Sequence, residues 1–191
     1  FSFYPTKQIS IGEGGMVITN NKKIYETIKR AKAFGIDKDI KERKIPGFYD
    51  VKSLGLNYRM TDYQSALGLS QIKRYENELL ARKKNAKYYC EKLAEIKWIK
   101  FPQFDEKASY FIFQIFIPKL MRLKVIKCFM KEKIGFSIHY AKSLDNMSFY
   151  KSNNANCKNS IIYANENISL PVHSGINKVK INKILKVLKK I

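Results

Sequence analysis

Apolar and polar residues recur along the chain with two different periods, which predicts a mixed α and β structure. Where apolar residues return every three to four positions the pattern indicates helices, over residues 22–34, 62–96, 122–133 and 178–190. Short apolar runs bounded by turn residues indicate strands, over residues 1–4, 8–11, 16–19, 98–101, 110–117, 136–139 and 168–172. Residues 36–58 and 142–160 follow neither period, and we predict long loops there, the second with some local helix.

The helix predicted over residues 62–96 separates two parts of the chain that differ in character. Glycine turns and a long loop precede it, whereas strands and helices alternate at short intervals after it. We therefore predict an α/β fold with two domains, residues 1–96 and residues 97–191. The chain begins at Phe1 inside an apolar run, and we interpret the sequence as a piece of a longer protein.

The chain is strongly basic, with 37 Lys and Arg against 16 Asp and Glu and a net charge of +21. Such an excess can indicate a nucleic-acid-binding protein, in which arginine forks onto guanine and phosphate. Only six of the cations are Arg, and the lysines are spread over the whole chain. This distribution favours a solvated lysine surface, and an anionic small substrate also agrees with it. A lysine-rich nucleic-acid-binding protein stays open as an alternative.

The sequence shows neither a membrane segment nor a metal-binding motif. Its longest nearly apolar stretch, residues 110–117, is far shorter than the roughly 20 residues that a membrane helix needs. No secretory or transit signal opens the chain, so we expect a cytoplasmic protein without a membrane partner. The three cysteines are far apart, and neither His139 nor His173 lies at zinc-ligand spacing from them. We expect reduced thiols and no metal site.

Lys7 lies between an apolar run and a glycine turn at residues 12–15. A lysine at the mouth of a sheet is partly desolvated, which lowers its pKa, and the neutral amine is the form that attacks an aldehyde. Glycines let the backbone turn sharply or approach a flat cofactor closely. From physical chemistry alone, however, a plain hairpin with an exposed lysine is the simpler interpretation.

Two blocks of sequence resemble the motifs of one enzyme family. Residues 2–7 (SFYPTK) and 12–16 (GEGGM) resemble the lysine motif of the DegT/DnrJ/EryC1/StrS family of pyridoxal-phosphate-dependent sugar aminotransferases. Residues 57–68, which begin NYRMTD and end ALG, resemble a second motif of that family. Weaker matches follow at residues 138–140 and 168–173, so the four blocks run in order over essentially the whole chain.

The resemblance implies that Lys7 is both the lysine that bonds to pyridoxal phosphate and the catalytic group that moves the proton. Ser2, five residues earlier, matches the hydroxyl that binds the cofactor phosphate. Asn57 matches an asparagine that reaches the same phosphate from the neighbouring subunit. Family members that dehydrate sugars carry His in place of this lysine, so Lys7 favours transamination.

Three more residues are implied to lie near the substrate. Arg59 would contact an anionic part of the substrate or hold the subunit interface, and these two roles stay open. Tyr4 and His139 match positions near the cofactor and the sugar nucleotide, although core packing would explain Tyr4 equally well. His173 is interpreted as structural. The residues after His139 depart from the family pattern, which leaves the identity of the sugar open.

The fold implied by the resemblance is fold type I of the pyridoxal-phosphate-dependent transferases, the aspartate aminotransferase type. The chain would hold the C-terminal part of the large domain and the small C-terminal α/β domain. The implied reaction moves an amino group, from glutamate in most of the family, to a keto group of a nucleotide-linked deoxysugar for surface polysaccharide or glycan synthesis. The implied enzyme is a homodimer with shared active sites. A truncated relative that serves only as a folding or interaction module is the alternative.

Overall fold

The computed structural model describes residues 1–150 and 157–191, which form two compact units, Phe1–Tyr75 and Glu76–Ile191. The helices of the described residues are α1 (Lys22–Ala31), α2 (Asp62–Ile72), α3 (Tyr75–Leu93), α4 (Lys119–Lys131), α5 (Lys158–Glu166) and α6 (Lys178–Lys189). Two strands, β1 (Phe113–Phe116) and β2 (Asn167–Leu170), and two 3₁₀ turns, Ile40–Glu42 and Leu144–Asn146, complete them. None of these helices is long and apolar enough to cross a membrane.

In the first unit, α1 is shorter than the helix predicted over residues 22–34. The Asn21 side chain caps its start by accepting hydrogen bonds from the backbone N–H groups of Lys23 (3.0 Å) and Ile24 (3.2 Å). The helix ends at Ala31 because the backbone turns left-handed at Phe34, with a φ of +62°. Apolar periodicity continues through residue 34, so the pattern alone overestimates the helix.

The predicted loop over residues 36–58 doubles back on the end of α1. Gly35 and Gly55 lie so close that a Cβ at Gly35 would be 1.7 Å from the Ser53 carbonyl oxygen, and a Cβ at Gly55 would be 2.0 Å from the Gly35 nitrogen. Isolated bridges pair residues 33 and 57 and residues 36 and 51 on either side of this crossing. No side chain fits at the crossing, so both positions require glycine.

The strands predicted over residues 1–4, 8–11 and 16–19 do not form. In their place one isolated bridge joins Ser2 to Gly15, supported by hydrogen bonds from the Phe3 N–H to the Gly14 carbonyl (2.9 Å) and from the Met16 N–H to the Phe1 carbonyl (2.9 Å). A strand needs a ladder of hydrogen-bonded partners along its edge. Within the described first unit, the three predicted strands have only this one bridge between them.

The single helix predicted over residues 62–96 is two helices, α2 and α3, separated at Lys73 and Arg74. At this point the hydrogen bonding tightens, because Lys73 still donates to the carbonyl of Leu69 whereas Arg74 donates to that of Gln71. Neither Gly nor Pro marks the break in the sequence. The Thr61 hydroxyl caps the start of α2 by accepting a hydrogen bond from the Gln64 N–H at 3.3 Å.

The second unit contains a two-stranded antiparallel sheet in which Phe113 of β1 pairs with Leu170 of β2. The strands predicted over residues 110–117 and 168–172 are therefore present but shorter. Those predicted over 98–101 and 136–139 are reduced to single bridges, Lys100 to Phe116 and Ser137 to Ser169, on the two outer edges of the sheet. The bounds of the two remaining helices also differ from the prediction. The helix predicted over 122–133 is α4 at Lys119–Lys131, and the one predicted over 178–190 is α6, which ends at Lys189.

Helices α3, α4 and α6 pack with this sheet into the hydrophobic core of the second unit. Its fully buried side chains include Tyr89, Leu93, Ile115, Val125, Phe129, Ile168, Ile181 and Leu188. The predicted loop over residues 142–160 contains one 3₁₀ turn and the start of α5, and its residues 151–156 lie outside the described chain. The units divide at residue 75; the domain boundary predicted after residue 96 stays a prediction.

Candidate active site

Residues 2–16, called the lysine segment below, hold Lys7 at the middle of a closed loop. The Ile11 N–H donates to the Phe3 carbonyl (3.0 Å), which closes the loop over residues 3–11 with Lys7 halfway along it. A turn within the loop is closed by the Lys7 N–H, which donates to the Tyr4 carbonyl (2.9 Å). Pro5 is the second residue of this turn, where its fixed φ is favourable. Lys7 is half-buried.

Ser2 and Tyr4 precede Lys7 on this segment. The Ser2 hydroxyl accepts a long hydrogen bond from the Tyr4 N–H (3.4 Å) and is exposed, so its own proton can be donated to a ligand. The Tyr4 ring is 48% exposed and therefore lies at the surface rather than in a core. The structure thus brings Ser2, Tyr4 and Lys7 together on one closed segment.

Two glutamine side chains of helix α2 hydrogen-bond to the backbone of the lysine segment on the C-terminal side of Lys7. Gln71 accepts a hydrogen bond from the Ser10 N–H (2.9 Å) and donates its amide to the Ser10 carbonyl oxygen. Gln64 donates to the Glu13 carbonyl oxygen (2.8 Å). The sequence analysis missed both residues. Their signal was present, because Gln64, Gly68 and Gln71 are spaced i, i+4 and i+7 and so share one face of α2.

Asn57 and Arg59 form a second group at the end of α1. The Arg59 Nε donates to the Asn57 carboxamide oxygen (3.4 Å), and its guanidinium lies 5.2 Å from the centre of the Phe34 ring. Both side chains are exposed. Their described contacts run to the residues that follow α1 rather than to the lysine segment, so one chain presents its predicted phosphate-binding residues in two separate groups.

His139 lies in the second unit, in a network of polar side chains at the edge of the sheet. Its Nδ1 is 2.8 Å from the Ser169 hydroxyl, and its backbone N–H donates to the buried Asn167 carboxamide oxygen (3.0 Å). Its carbonyl oxygen accepts a hydrogen bond from the Gln114 amide (2.9 Å), and Gln114 is itself hydrogen-bonded to the Tyr163 hydroxyl. The ring and the backbone of His139 are therefore both fixed.

His173, interpreted as structural, also takes part in a local hydrogen bond. The Gly175 N–H donates to its Nδ1 at 3.2 Å, which requires that this nitrogen be unprotonated. Desolvation, together with the nearby cations Arg82 and Lys180, holds the pKa of His173 below its usual value, so the neutral form is favoured. Within the described residues no group of His, Cys, Asp and Glu could hold a metal ion.

Comparison with known proteins agrees with this geometry. The model of the DegT/DnrJ/EryC1/StrS aminotransferase family matches residues 1–189. An uncharacterized protein of Methanocaldococcus jannaschii is 31% identical over all of this chain and 53% of its own length. The UDP-4-amino-4,6-dideoxy-N-acetyl-beta-L-altrosamine transaminase of Campylobacter jejuni is 28% identical over 93% of this chain and 47% of its own.

A solved structure gives the fold. Helicobacter pylori PseC, an aminotransferase involved in the biosynthesis of pseudoaminic acid, superposes with a TM-score of 0.87 at 27% identity. The match covers 98% of this chain and 51% of PseC, so the chain spans about half the length of the relatives it matches. The fold class predicted from the sequence, fold type I of the pyridoxal-phosphate-dependent transferases, is confirmed. The chain belongs to the DegT/DnrJ/EryC1/StrS aminotransferase family.

Proposed function

We propose that the protein to which this chain belongs works in the cytoplasm and transfers an amino group to a keto group of a nucleotide-linked deoxysugar. Glutamate, the donor in most of the family, supplies the amino group in this proposal. The observation that carries the proposal is the half-buried Lys7 at the middle of its closed loop, in a chain that matches the family from residue 1 to residue 189. The C. jejuni relative is named for a nucleotide-sugar substrate of this class. The family match favours this activity over the nucleic-acid alternative.

The donor groups of the first unit fit pyridoxal phosphate. A phosphate needs hydrogen-bond donors, and Ser2 supplies a hydroxyl while Asn57 supplies the NH₂ group of its carboxamide. The carboxamide oxygen of Asn57 already accepts a hydrogen bond from Arg59. The glycine turn that follows Lys7 in the chain is open at Gly12, where no atom lies within 4 Å of the position of a Cβ. In this proposal Lys7 would hold the cofactor through its aldehyde, while Ser2 and the Asn57 side chain of a second subunit would hold its phosphate.

The chemistry divides between the cofactor and Lys7. Bound pyridoxal phosphate supplies an electron sink for the negative charge that develops at the donor Cα. Lys7, once its amine is free, takes the proton from the Cα atom of the amino donor and returns a proton in the second half of the reaction, so it acts as general base and general acid.

Three side chains are proposed to contact substrate. Arg59 and Tyr4 are exposed and carry a cation and a phenol that suit a diphosphate and a sugar. His139 has a ring fixed through Ser169 at Nδ1, and its Nε2 makes a long contact with the exposed Ser137 hydroxyl (3.5 Å), which a sugar hydroxyl would replace in this proposal.

A homodimer completes the proposed site. Asn57 is grouped with the end of α1 rather than with the lysine segment, which agrees with a role for Asn57 at the active site of a second subunit. The first unit also exposes large apolar side chains, among them Val17, Phe48, Leu54 and Tyr63, of the kind that protein interfaces cover.

The deciding experiment is borohydride reduction in the presence of pyridoxal phosphate, followed by mass mapping of peptides. It uses the protein expressed from its complete reading frame, with Lys7→Arg as the variant and Lys22→Arg, an exposed lysine at the start of α1, as the matched control. We expect one phosphopyridoxyl adduct, on Lys7, that persists in Lys22→Arg. A folded protein without an adduct, or with adducts scattered over many lysines, would favour the non-catalytic module instead.

A further inference from the structure

Helix α2 holds the backbone of the lysine segment at two points, Ser10 and Glu13. At Ser10 the Gln71 carboxamide pairs with both backbone groups, accepting from the N–H at 2.9 Å and donating to the carbonyl oxygen. At Glu13 the Gln64 amide donates to the carbonyl oxygen at 2.8 Å. The segment between the two points contains Ile11 and Gly12 of the glycine turn, and Lys7 lies three residues before the first point.

The face of α2 between the two glutamines is shaped for this contact. Gly68 lies on that face and is buried, and a Cβ there would be 3.3 Å from the Ile11 side chain. Ile11 is itself 5% exposed, so its side chain occupies the space that a larger residue 68 would need. The two hydrogen-bonded points therefore have a packed apolar contact between them.

The Gln64 carboxamide has two separate partners. Its oxygen accepts a hydrogen bond from the Thr61 N–H (3.0 Å) in the capping box that begins α2, and its nitrogen donates to Glu13. Thr61 lies two residues after Arg59, in the block that also holds Asn57. One side chain thus links the start of α2 to the glycine turn.

We propose that Gln64 and Gln71 are positioning residues that fix the backbone of residues 10–13 and thereby hold Lys7 in place for the cofactor. The inference rests on the proposed function, because it takes Lys7 as the residue that bonds to pyridoxal phosphate. A carboxamide suits the task, since it both donates and accepts without adding a charge beside the site.

Replacing each glutamine with glutamate tests the role with almost no change of shape. In Gln71→Glu the side chain still accepts from the Ser10 N–H but has an oxygen opposite the Ser10 carbonyl. Gln64→Glu keeps the capping acceptor for Thr61 and loses only the donor to Glu13. Ser70→Glu is the matched control, because it adds the same charge at an exposed position of α2.

The first measurement is hydrogen–deuterium exchange of the peptide over residues 8–16, in the cofactor-free protein made from its complete reading frame. Loss of one or two hydrogen bonds speeds local opening, so we expect on the order of tenfold faster exchange in Gln64→Glu and Gln71→Glu. Ser70→Glu should exchange as the unaltered protein does. Unchanged exchange in both glutamate variants would overturn the inference.

The second measurement is the dissociation constant for pyridoxal phosphate, obtained by titration at several pH values. We expect both variants to bind the cofactor about tenfold more weakly at pH 8. A protonated glutamic acid regains the donor, so the difference between Gln71→Glu and the unaltered protein should shrink as the pH falls toward 5.5. This reversal with pH is not expected of a variant that has merely lost its fold.

The outcomes separate this inference from the proposed function. If the unaltered protein forms the Lys7 adduct while both variants keep its dissociation constant, the positioning role is wrong and the proposed function stands. If the unaltered protein forms no adduct on Lys7, the proposed function is wrong. Should Gln71→Glu fail to fold by circular dichroism, Gln64→Glu still decides, because its helix cap is retained.

Discussion

The side chain of Asn167 is fully buried and connects two stretches of backbone in the second unit, residues 139–140 and the end of α5. Its carboxamide oxygen accepts from the His139 N–H, and its nitrogen donates to the carbonyl oxygens of Tyr163 (2.8 Å) and Tyr140 (3.2 Å). Burying an amide side chain that has all these hydrogen-bond partners costs little folding free energy. Removing the side chain, however, leaves the buried partners without hydrogen bonds. The position of His139 therefore depends on this residue.

Replacing Asn167 with alanine should lower the free energy of unfolding by about 2–3 kcal/mol, because the variant loses several hydrogen bonds and strands a buried N–H and carbonyl. Urea denaturation followed by circular dichroism measures the change. Asn159→Ala, at an exposed position of α5, is the control and should change stability by less than about 0.5 kcal/mol. Equal effects of the two substitutions would contradict the role assigned to Asn167.

The residues named from the sequence and those that only the structure reveals differ in where their partners lie. Lys7 and Ser2 stand in one short motif, and the resemblance of that motif to a known family allowed them to be chosen from the sequence. Gln71 bonds to Ser10, 61 residues away, and Asn167 bonds to His139, 28 residues away. Such pairs exist only after the chain has folded. The helical spacing of Gln64, Gly68 and Gln71 places them on one face of α2, but it does not identify Ser10 as the partner of Gln71.

Among the elements, helices followed the sequence pattern better than strands did. Helix α6 shows why, because its buried residues Ile181, Ile184, Leu185 and Leu188 repeat with the helical period. A strand depends on its neighbours, so the extended runs at residues 98–101 and 136–139 formed only single bridges. The break between α2 and α3 was missed for a related reason, since the tightened turn at residues 73–74 has no Gly or Pro.

The apolar face of α6 gives a prediction at this scale. Leu188 is fully buried, whereas Val179 on the same helix is 76% exposed. We expect Leu188→Ala to lower the free energy of unfolding by about 2–5 kcal/mol, because a cavity remains where the side chain was. Val179→Ala should change it by less than about 0.5 kcal/mol. Comparable losses in urea denaturation would mean that α6 does not pack as described.

At the scale of the whole molecule, the two units differ in how much apolar surface they bury. The core cluster extends from Ala86 to Leu188 and so lies within the second unit. The large apolar side chains buried in the described first unit are Phe3 and Ile11, while many others there are exposed. Burial of apolar area is the main source of folding free energy, so most of the stabilising free energy of this chain comes from the second unit.

We therefore expect the fragment Glu76–Ile191 to fold by itself with a cooperative thermal transition, and the fragment Phe1–Tyr75 to show none. Differential scanning calorimetry of the two separate fragments measures this difference. Leu188→Ala within the longer fragment is the control, since it should lower the transition temperature if the core is the native one. A cooperative transition in the shorter fragment, or its absence in the longer one, would contradict the division of the core.

The backbone crossing at Gly35 and Gly55 limits how this protein can be altered by evolution or by design. Neither position tolerates a side chain, because each Cβ would fall within about 2 Å of the other strand of backbone. The backbone that leads to Asn57 therefore cannot change by single substitutions at these two positions. A saturation library selected for folded protein should return only glycine at both. If Asn57 binds the cofactor phosphate as proposed, new specificity there has to come from the identity of the side chains at 57 and 59, because the backbone route stays as it is.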